Sequence, residues 1–184
     1  MADRRSLSRR TLLLMSAALG AGCLLPSHGR AAPVAGFATQ PWFAETSFDL
    51  AHDLDAASKA GKRLVLLWEQ KGCEYCRAMH ELAMPQADLI EIAKPQFHVI
   101  QMDMRGTRAF KDFAGAAAKE SDLARGFFVR GTPTTQFFDE AGKEVFRMPG
   151  YASPEIFFLV YQYVAERGYL SAKLEDWAAK KYAQ

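Results

Sequence analysis

The sequence has few cysteines, little net charge and no long apolar run. Cys23, Cys73 and Cys76 are the only cysteines, too few for a scaffold of several disulfides and short of the four ligands of a structural zinc site. A net charge of +2 gives no strong attraction to nucleic acid, which we do not expect to be a partner. The length of 184 residues fits one ordinary domain with a modest core.

The N-terminus has the layout of a bacterial export signal. Four arginines precede an uncharged apolar stretch at 11–25, which is shorter than the ~20 residues of a spanning helix. Residues 8–13 (SRRTLL) resemble a twin-arginine motif, so we predict export of a folded protein, although a Sec signal would share the pattern. We expect a signal at 1–31, cleaved after Ala31. Anchoring as a lipoprotein through Cys23 is the alternative.

After the signal we expect a tether or a loosely packed lead-in at 32–46, which is rich in Ala, Pro and Gly. One domain at 47–184 with a C-terminal helical tail is expected to follow. The hydrophobic spacing predicts alternating helices and strands. Residues 105–121 are interpreted as a surface insertion with some helix, and 123–128 as a helical turn. The helices are predicted at 50–60, 75–83, 87–93, 154–167 and 171–182, and the strands at 63–69, 97–104, 134–138 and 143–148. This order predicts an α/β fold with a mixed sheet.

Cys73-Glu74-Tyr75-Cys76 lies where a buried strand gives way to a helix. At a helix N-terminus, free N–H groups and the helix dipole stabilise a thiolate, which is the nucleophile of disulfide exchange. We therefore assign Cys73 as the nucleophile and Cys76 as the resolving thiol. Half of a zinc site and an inert structural disulfide are the alternatives. A second motif, Gly131-Thr132-Pro133-Thr134, precedes a predicted strand, where an ordinary trans proline would also fit.

From about residue 64 to 150 the chain resembles the thioredoxins, and within them it looks like the SoxW-type periplasmic thioredoxins of bacterial sulfur-oxidation gene clusters. The matching stretches are WEQKGCEYCRAMH (68–80), MDMRGT (102–107), GTPTTQFFDEAGKEVFRMPGY (131–151) and the tail from Tyr161 to Lys180. The resemblance implies a thioredoxin fold, in which a mixed central sheet is flanked by helices. It also implies a cis bond before Pro133, with Thr132 and Pro133 binding an extended segment of the client.

The resemblance has one informative departure. Cytoplasmic thioredoxins carry a buried aspartate six residues before the first cysteine, where this sequence has Leu67. Glu69 is the nearest acidic candidate for a proton relay to the resolving thiol, and an ion-paired or solvated glutamate is the alternative. Tyr75 and Phe128 are candidates for an apolar rim around the client. His80 is interpreted as a surface histidine rather than a residue that tunes a thiol.

The predicted function is that of a periplasmic thiol–disulfide oxidoreductase that reduces, or relays electrons to, client disulfides in sulfur oxidation. The resemblance implies a membrane electron donor of the CcdA/DsbD type. We expect a monomer with neither cofactor nor metal. A disulfide oxidase or isomerase is the alternative within the fold, and a non-catalytic docking module is the alternative outside enzymes.

Overall fold

The computed structural model describes residues 36–183, so the predicted signal, its cleavage site and Cys23 lie outside the described residues. Single helical turns at Met79–Ala83 (π) and Gly168–Leu170 (3₁₀) accompany the main elements. The helices are Leu50–Lys59 (α1), Glu74–Ala78 (α2), Ala87–Gln96 (α3), Glu120–Gly126 (α4), Pro154–Ala165 (α5) and Leu174–Tyr182 (α6). The strands are Arg63–Glu69 (β1), Phe97–Asp103 (β2), Ala109–Lys111 (β3), Ala117–Lys119 (β4), Thr134–Phe138 (β5) and Glu144–Pro149 (β6).

The central sheet has four strands in the order β2-β1-β5-β6. Strand β1 pairs parallel with β2 and antiparallel with β5, and β5 pairs antiparallel with β6. Every residue of β1 is buried, as its continuous apolar run predicts for a strand covered on both faces. The predicted α/β fold with a mixed central sheet flanked by helices is confirmed.

Two hydrophobic clusters cover the two faces of the sheet because side chains alternate along a strand. Val65 and Leu67 face the cluster that contains α3 and α5. Leu64, Leu66 and Trp68 face the cluster that contains α1 and α4. The same alternation places Glu69 on the face of Val65 and Leu67, at the end of β1 that leads into the cysteines.

The expected insertion at 105–121 differs from the prediction in part. Residues 109–119 form a small hairpin of β3 and β4 rather than helix, and helix begins only at Glu120 with α4. Asp112 explains the hairpin, since its carboxylate accepts the backbone N–H groups of Ala114 and Ala116. Side chains of this type favour turns over helix by bonding to their own backbone.

Residues 36–46, from the segment expected to be a tether or a loosely packed lead-in, pack on the domain. Trp42 and Phe43 lie against the core cluster of α3 and α5. The Ala44 N–H donates to the Val99 carbonyl of β2 at 2.8 Å, and Thr46 is buried. We call residues 36–46 the lead-in segment. Among the described residues, no helix has the length and apolar character needed to cross a membrane.

Candidate active site

The two cysteines lie at the junction of β1 and α2. The chain turns tightly after Glu69 through Gly72, whose φ of +77° is a conformation that favours glycine. Cys73 is the N-cap of α2 and forms a disulfide with Cys76, with 5.2 Å between the Cα atoms. The predicted pairing of Cys73 with Cys76 is therefore present in the structure.

The two sulfur atoms have different surroundings. Cys73 is partly exposed, whereas Cys76 is 4% exposed. The backbone N–H of Cys76 donates to Cys73 Sγ at 3.1 Å, which would stabilise a thiolate there once the pair is reduced. A client can therefore reach Cys73 but not Cys76, as the assigned roles of nucleophile and resolving thiol require.

Thr132 and Pro133 lie beside Cys73. The register of β1 with β5 pairs Trp68 with Thr134, so the residues before Thr134 meet the end of β1 that leads to the cysteines. The Thr132–Pro133 peptide bond is cis. The Thr132 carbonyl oxygen lies 3.5 Å from Cys73 Sγ. The structure thus brings the two predicted motifs into contact.

Glu69 is buried and belongs to a hydrogen-bonded cluster beneath the cysteines. Its Oε1 lies 2.8 Å from His80 Nε2 and accepts the Gln101 Nε2–H at 2.9 Å. His80 is also buried, so its interpretation as a surface histidine is wrong. Cys76, Met79, His80 and Ala83 form one buried stripe at helical spacing, which carries His80 inward with its apolar neighbours.

Gln40 and Gln101 are the members of this cluster that the sequence reasoning missed. Gln40 Nε2 lies 3.3 Å from His80 Nδ1 and 3.1 Å from the His80 carbonyl oxygen. Gln101 Nε2 also donates to the Ala38 carbonyl in the lead-in segment at 2.6 Å. The burial of Gln101 is predictable from the sequence, since Gln101 lies two residues after Val99 and four after Phe97, on the same buried face of β2. The contact of Gln40 is not predictable in this way, because Gln40 lies in a segment without hydrophobic periodicity.

A groove of about 470 Å³ runs beside the disulfide. Its walls come from the β1–α2 turn, from α2 with the π-helical turn, and from residues 36–38 of the lead-in segment. Glu69, Cys73, Cys76 and His80 all line it. No cluster of three or more His, Cys, Asp or Glu side chains suited to a metal occurs within residues 36–183.

The candidate rim residues are exposed at the site. Tyr75 is 67% exposed and Phe128 is 68% exposed. Phe128 lines a second, smaller groove together with Gly131 and Thr132. It has a positive φ of 55°, a strained conformation for a bulky residue.

Arg147 is hydrogen-bonded to the backbone of the loop that contains Phe128. Its Nη1–H donates to the Phe128 carbonyl at 3.2 Å. The hydrogen bonds from Arg147 to Glu144 raise the pKa of the Arg147 guanidinium. The hydrogen bond to the Phe128 carbonyl links the backbone of Phe128 to strand β6.

The chain matches the Thioredoxin-like domain family over residues 50–165. It belongs to the thioredoxin-like family. A thioredoxin-fold protein from Helicobacter pylori is similar in structure, with a TM-score of 0.57, 20% identity, and coverage of 71% of this chain and 88% of that one. A thioredoxin from Thermus thermophilus has a TM-score of 0.52, 22% identity, and coverage of 64% and 84%. A comparison with curated proteins found no match.

The resemblance to the thioredoxins implies a buried aspartate six residues before the first cysteine, where this chain has Leu67. Leu67 is fully buried in the core cluster of α3 and α5. The acidic group on this face is instead Glu69, two residues further along β1 and nearer the cysteines. This thioredoxin-like chain thus has a buried carboxylate close to its cysteine pair, and that carboxylate is paired with His80 and with the side-chain amide of Gln101.

Proposed function

We propose that this chain is an exported thiol–disulfide oxidoreductase that reduces disulfides of client proteins in the periplasm. The observation that carries the proposal is the partly exposed Cys73 sulfur, placed at the N-cap of α2 and 3.5 Å from the Thr132 carbonyl. The N-terminus of α2 stabilises a thiolate at this sulfur. The exposed backbone at Thr132 beside it would bind an extended segment of the client.

The proposed reaction has two exchange steps. The Cys73 thiolate attacks one sulfur of the client disulfide, and the other client sulfur leaves and takes up a proton. Cys76 then loses its proton and attacks Cys73 Sγ, which breaks the mixed disulfide and releases the second client thiol. The client gains two electrons, and Cys73 and Cys76 end as the disulfide seen in the structure.

Reduction is the direction that we favour over oxidation or isomerisation. The resemblance to the SoxW-type periplasmic thioredoxins supports this direction. Reduction in an oxidising compartment needs electrons from outside it. We propose a membrane thiol transporter of the CcdA/DsbD type as the donor.

The test of the enzymatic proposal is reduction of insulin disulfides with dithiothreitol as electron source. Wild type should accelerate the reaction, and Cys73→Ser should lose that acceleration because no nucleophile remains. Leu170→Ala is the control and should keep it, since Leu170 is exposed and lies outside the proposed site. Equal rates for wild type and Cys73→Ser would favour the non-catalytic docking module.

Periplasmic location and sulfur-oxidation clients rest on the N-terminal pattern and on the resemblance to SoxW-type thioredoxins. The clients can be captured in a sulfur-oxidising bacterium with Cys76→Ser, which cannot release them from Cys73. We expect mixed disulfides with periplasmic proteins of thiosulfate oxidation, and none with Cys73→Ser. Recovery of cytoplasmic partners, or of periplasmic thiol proteins with no preference for those of thiosulfate oxidation, would contradict this assignment.

A further inference from the structure

Helices α3 and α5 pack against each other on one face of the sheet. Two open cavities of about 470 Å³ each lie along this pair, and residues of both helices line each of them. Asp88 of α3 and Phe158 of α5 line both cavities. The two cavities therefore form one continuous groove, which we call the α3–α5 groove.

The α3–α5 groove follows α5 along its whole length. On α5 the lining residues Glu155, Phe158, Gln162 and Ala165 follow one another at intervals of three or four residues, so they share one face of the helix. Helix α5 has 12 residues, which corresponds to a length of about 18 Å. A partner helix of similar length would therefore fit along the groove.

The lining of the groove contains apolar side chains that the domain itself does not cover completely. Ile92, Phe158 and Leu159 are only partly buried. At one end of the groove, Ile156 is 43% exposed and Tyr182 is 56% exposed. Adjoining apolar side chains that remain in contact with water are typical of binding surfaces, because a partner that covers them removes apolar area from water.

Every charged side chain that lines the groove is a carboxylate. Helix α3 contributes Asp88 and Glu91, and Glu155 and Glu166 come from α5 and its C-cap. All four are exposed. Glu166 accepts hydrogen bonds from Lys181 at 2.6 Å, whereas the other three carboxylates are in none of the ion pairs of the described residues. The groove therefore presents unpaired negative charge from both helices beside its apolar side chains.

We propose that the α3–α5 groove binds a basic amphipathic helix of a partner protein. Apolar side chains on one face of that helix, spaced by three or four residues, would contact Ile92, Phe158 and Leu159. Lysine or arginine side chains beside this face would pair with the carboxylates of α3 and α5. An acidic helix of the same shape would be repelled, so the charge of the groove selects the partner.

A helix in the α3–α5 groove would leave the cysteine pair accessible. The residues that line this groove and those that line the groove beside the disulfide are entirely different sets. A client can therefore react at Cys73 while the α3–α5 groove is occupied. A client or electron donor that carries such a helix would be held near Cys73 at a raised effective concentration. This inference goes beyond the proposed disulfide exchange and does not depend on it.

The test is binding of two synthetic amphipathic helices of about 18 residues to the full chain, measured by fluorescence anisotropy of the labelled peptides. The first peptide has leucines on one face and lysines on the other, and the second has glutamate in place of every lysine. We expect the leucine–lysine peptide to bind at least about 10-fold more tightly than the leucine–glutamate peptide. The difference should shrink as salt is added, because the carboxylates are exposed.

Charge reversal locates the binding site. The double variant Asp88→Lys with Glu155→Lys should weaken binding of the leucine–lysine peptide by about 10-fold or more. The matched control is Asp55→Lys with Glu175→Lys, which changes the net charge equally at exposed carboxylates outside the groove. This control should stay within about twofold of wild type, because distant surface charges are screened.

The apolar contribution is tested separately. Ile156→Ser should weaken binding of the leucine–lysine peptide several-fold, because it removes apolar area that the peptide covers. Leu170→Ser is the control, since Leu170 is 71% exposed and lines neither cavity of the groove, and its affinity should equal that of wild type.

Equal affinity for the two peptides, or equal weakening by the groove variant and its charge control, would overturn the proposal. Two other occupants would also overturn it, and each has its own signature. A wild-type dimer that Asp88→Lys with Glu155→Lys converts to a monomer in sedimentation would make the groove an interface between copies. Tighter peptide binding by Arg9→Gln with Arg10→Gln would mean that the N-terminal segment of this chain competes for the groove.

Insulin reduction separates this proposal from the proposed function. The variants of the α3–α5 groove should reduce insulin at the wild-type rate, because the cysteine pair and its surroundings are unchanged. Equal insulin reduction by wild type and Cys73→Ser would contradict the proposed function, whereas the peptide affinities alone decide the docking proposal.

Discussion

At the scale of single residues, Phe128 combines two unfavourable features. Its ring is largely exposed, and its backbone has a positive φ. A left-handed conformation costs a non-glycine residue roughly 1 kcal/mol or more. Strained and exposed residues of this kind concentrate at functional sites, and Phe128 lies beside Thr132. We interpret its ring as a contact surface for the client.

Phe128→Gly should separate stability from activity. Relief of the strain should raise the free energy of unfolding by up to about 1 kcal/mol, while loss of the ring should lower kcat/KM for insulin reduction several-fold. Urea unfolding and the reduction assay measure the two effects. Phe128→Ala is the matched control, since it removes the ring but keeps the strain, so it should lose activity without gaining stability. Wild-type kcat/KM in both variants would show that the ring is no client contact.

At the scale of elements, the lead-in segment is an integral part of the fold. Trp42 and Phe43 pack edge to face, 4.8 Å between ring centroids, against the core cluster of α3 and α5. The backbone of Ala44 is bonded to β2. Such packing contributes to stability in proportion to the apolar area that it removes from water.

Trp42→Ala should therefore lower the free energy of unfolding by about 2 kcal/mol, which is the scale expected for a half-buried aromatic ring. Leu170→Ala is the control. Leu170 is 71% exposed, so its truncation should change the free energy of unfolding by less than about 0.5 kcal/mol. Urea denaturation measures both. A change for Trp42→Ala as small as that of the control would mean that the segment is only a tether.

The elements that the sequence predicted well are those with strong periodicity. Strands β1 and β5 begin and end where the pattern placed them, because both are short buried runs bounded by turn residues. The hairpin of β3 and β4 was missed because it depends on one side chain, Asp112, that bonds to its own turn. The contacts of the lead-in segment were not predicted because they are tertiary and leave no local pattern.

The candidate site shows the same division. Cys73, Cys76 and Pro133 follow from motifs whose spacing carries the chemistry. The burial of His80 could have been predicted from the helical stripe that begins at Cys76. It was missed because a single histidine on a helix is more often a surface residue. The hydrogen bond between Gln40 and His80 joins residues 40 positions apart in the sequence. Local sequence patterns therefore do not predict it.

At the scale of the whole molecule, the reactive groups gather at one end of the sheet. Strand β1 delivers the cysteines to that end, and β5 starts there with Thr132 and Pro133 directly before it. The two core clusters hold the strands rigidly from both faces. This rigidity keeps the Cys73 sulfur beside the surface where a client strand would dock, which a thiol exchange between two proteins requires.

The measurement that tests the central claim most directly is capture of a purified peptide disulfide by Cys76→Ser, followed by intact mass spectrometry and mapping of the linked residue. We predict a stable mixed disulfide on Cys73, no adduct on the double variant with Cys73→Ser, and an oxidised intramolecular pair without adduct for wild type. Absence of an adduct from Cys76→Ser, or an adduct that persists without Cys73, would contradict the assignment of Cys73 as the nucleophile of a thiol–disulfide oxidoreductase.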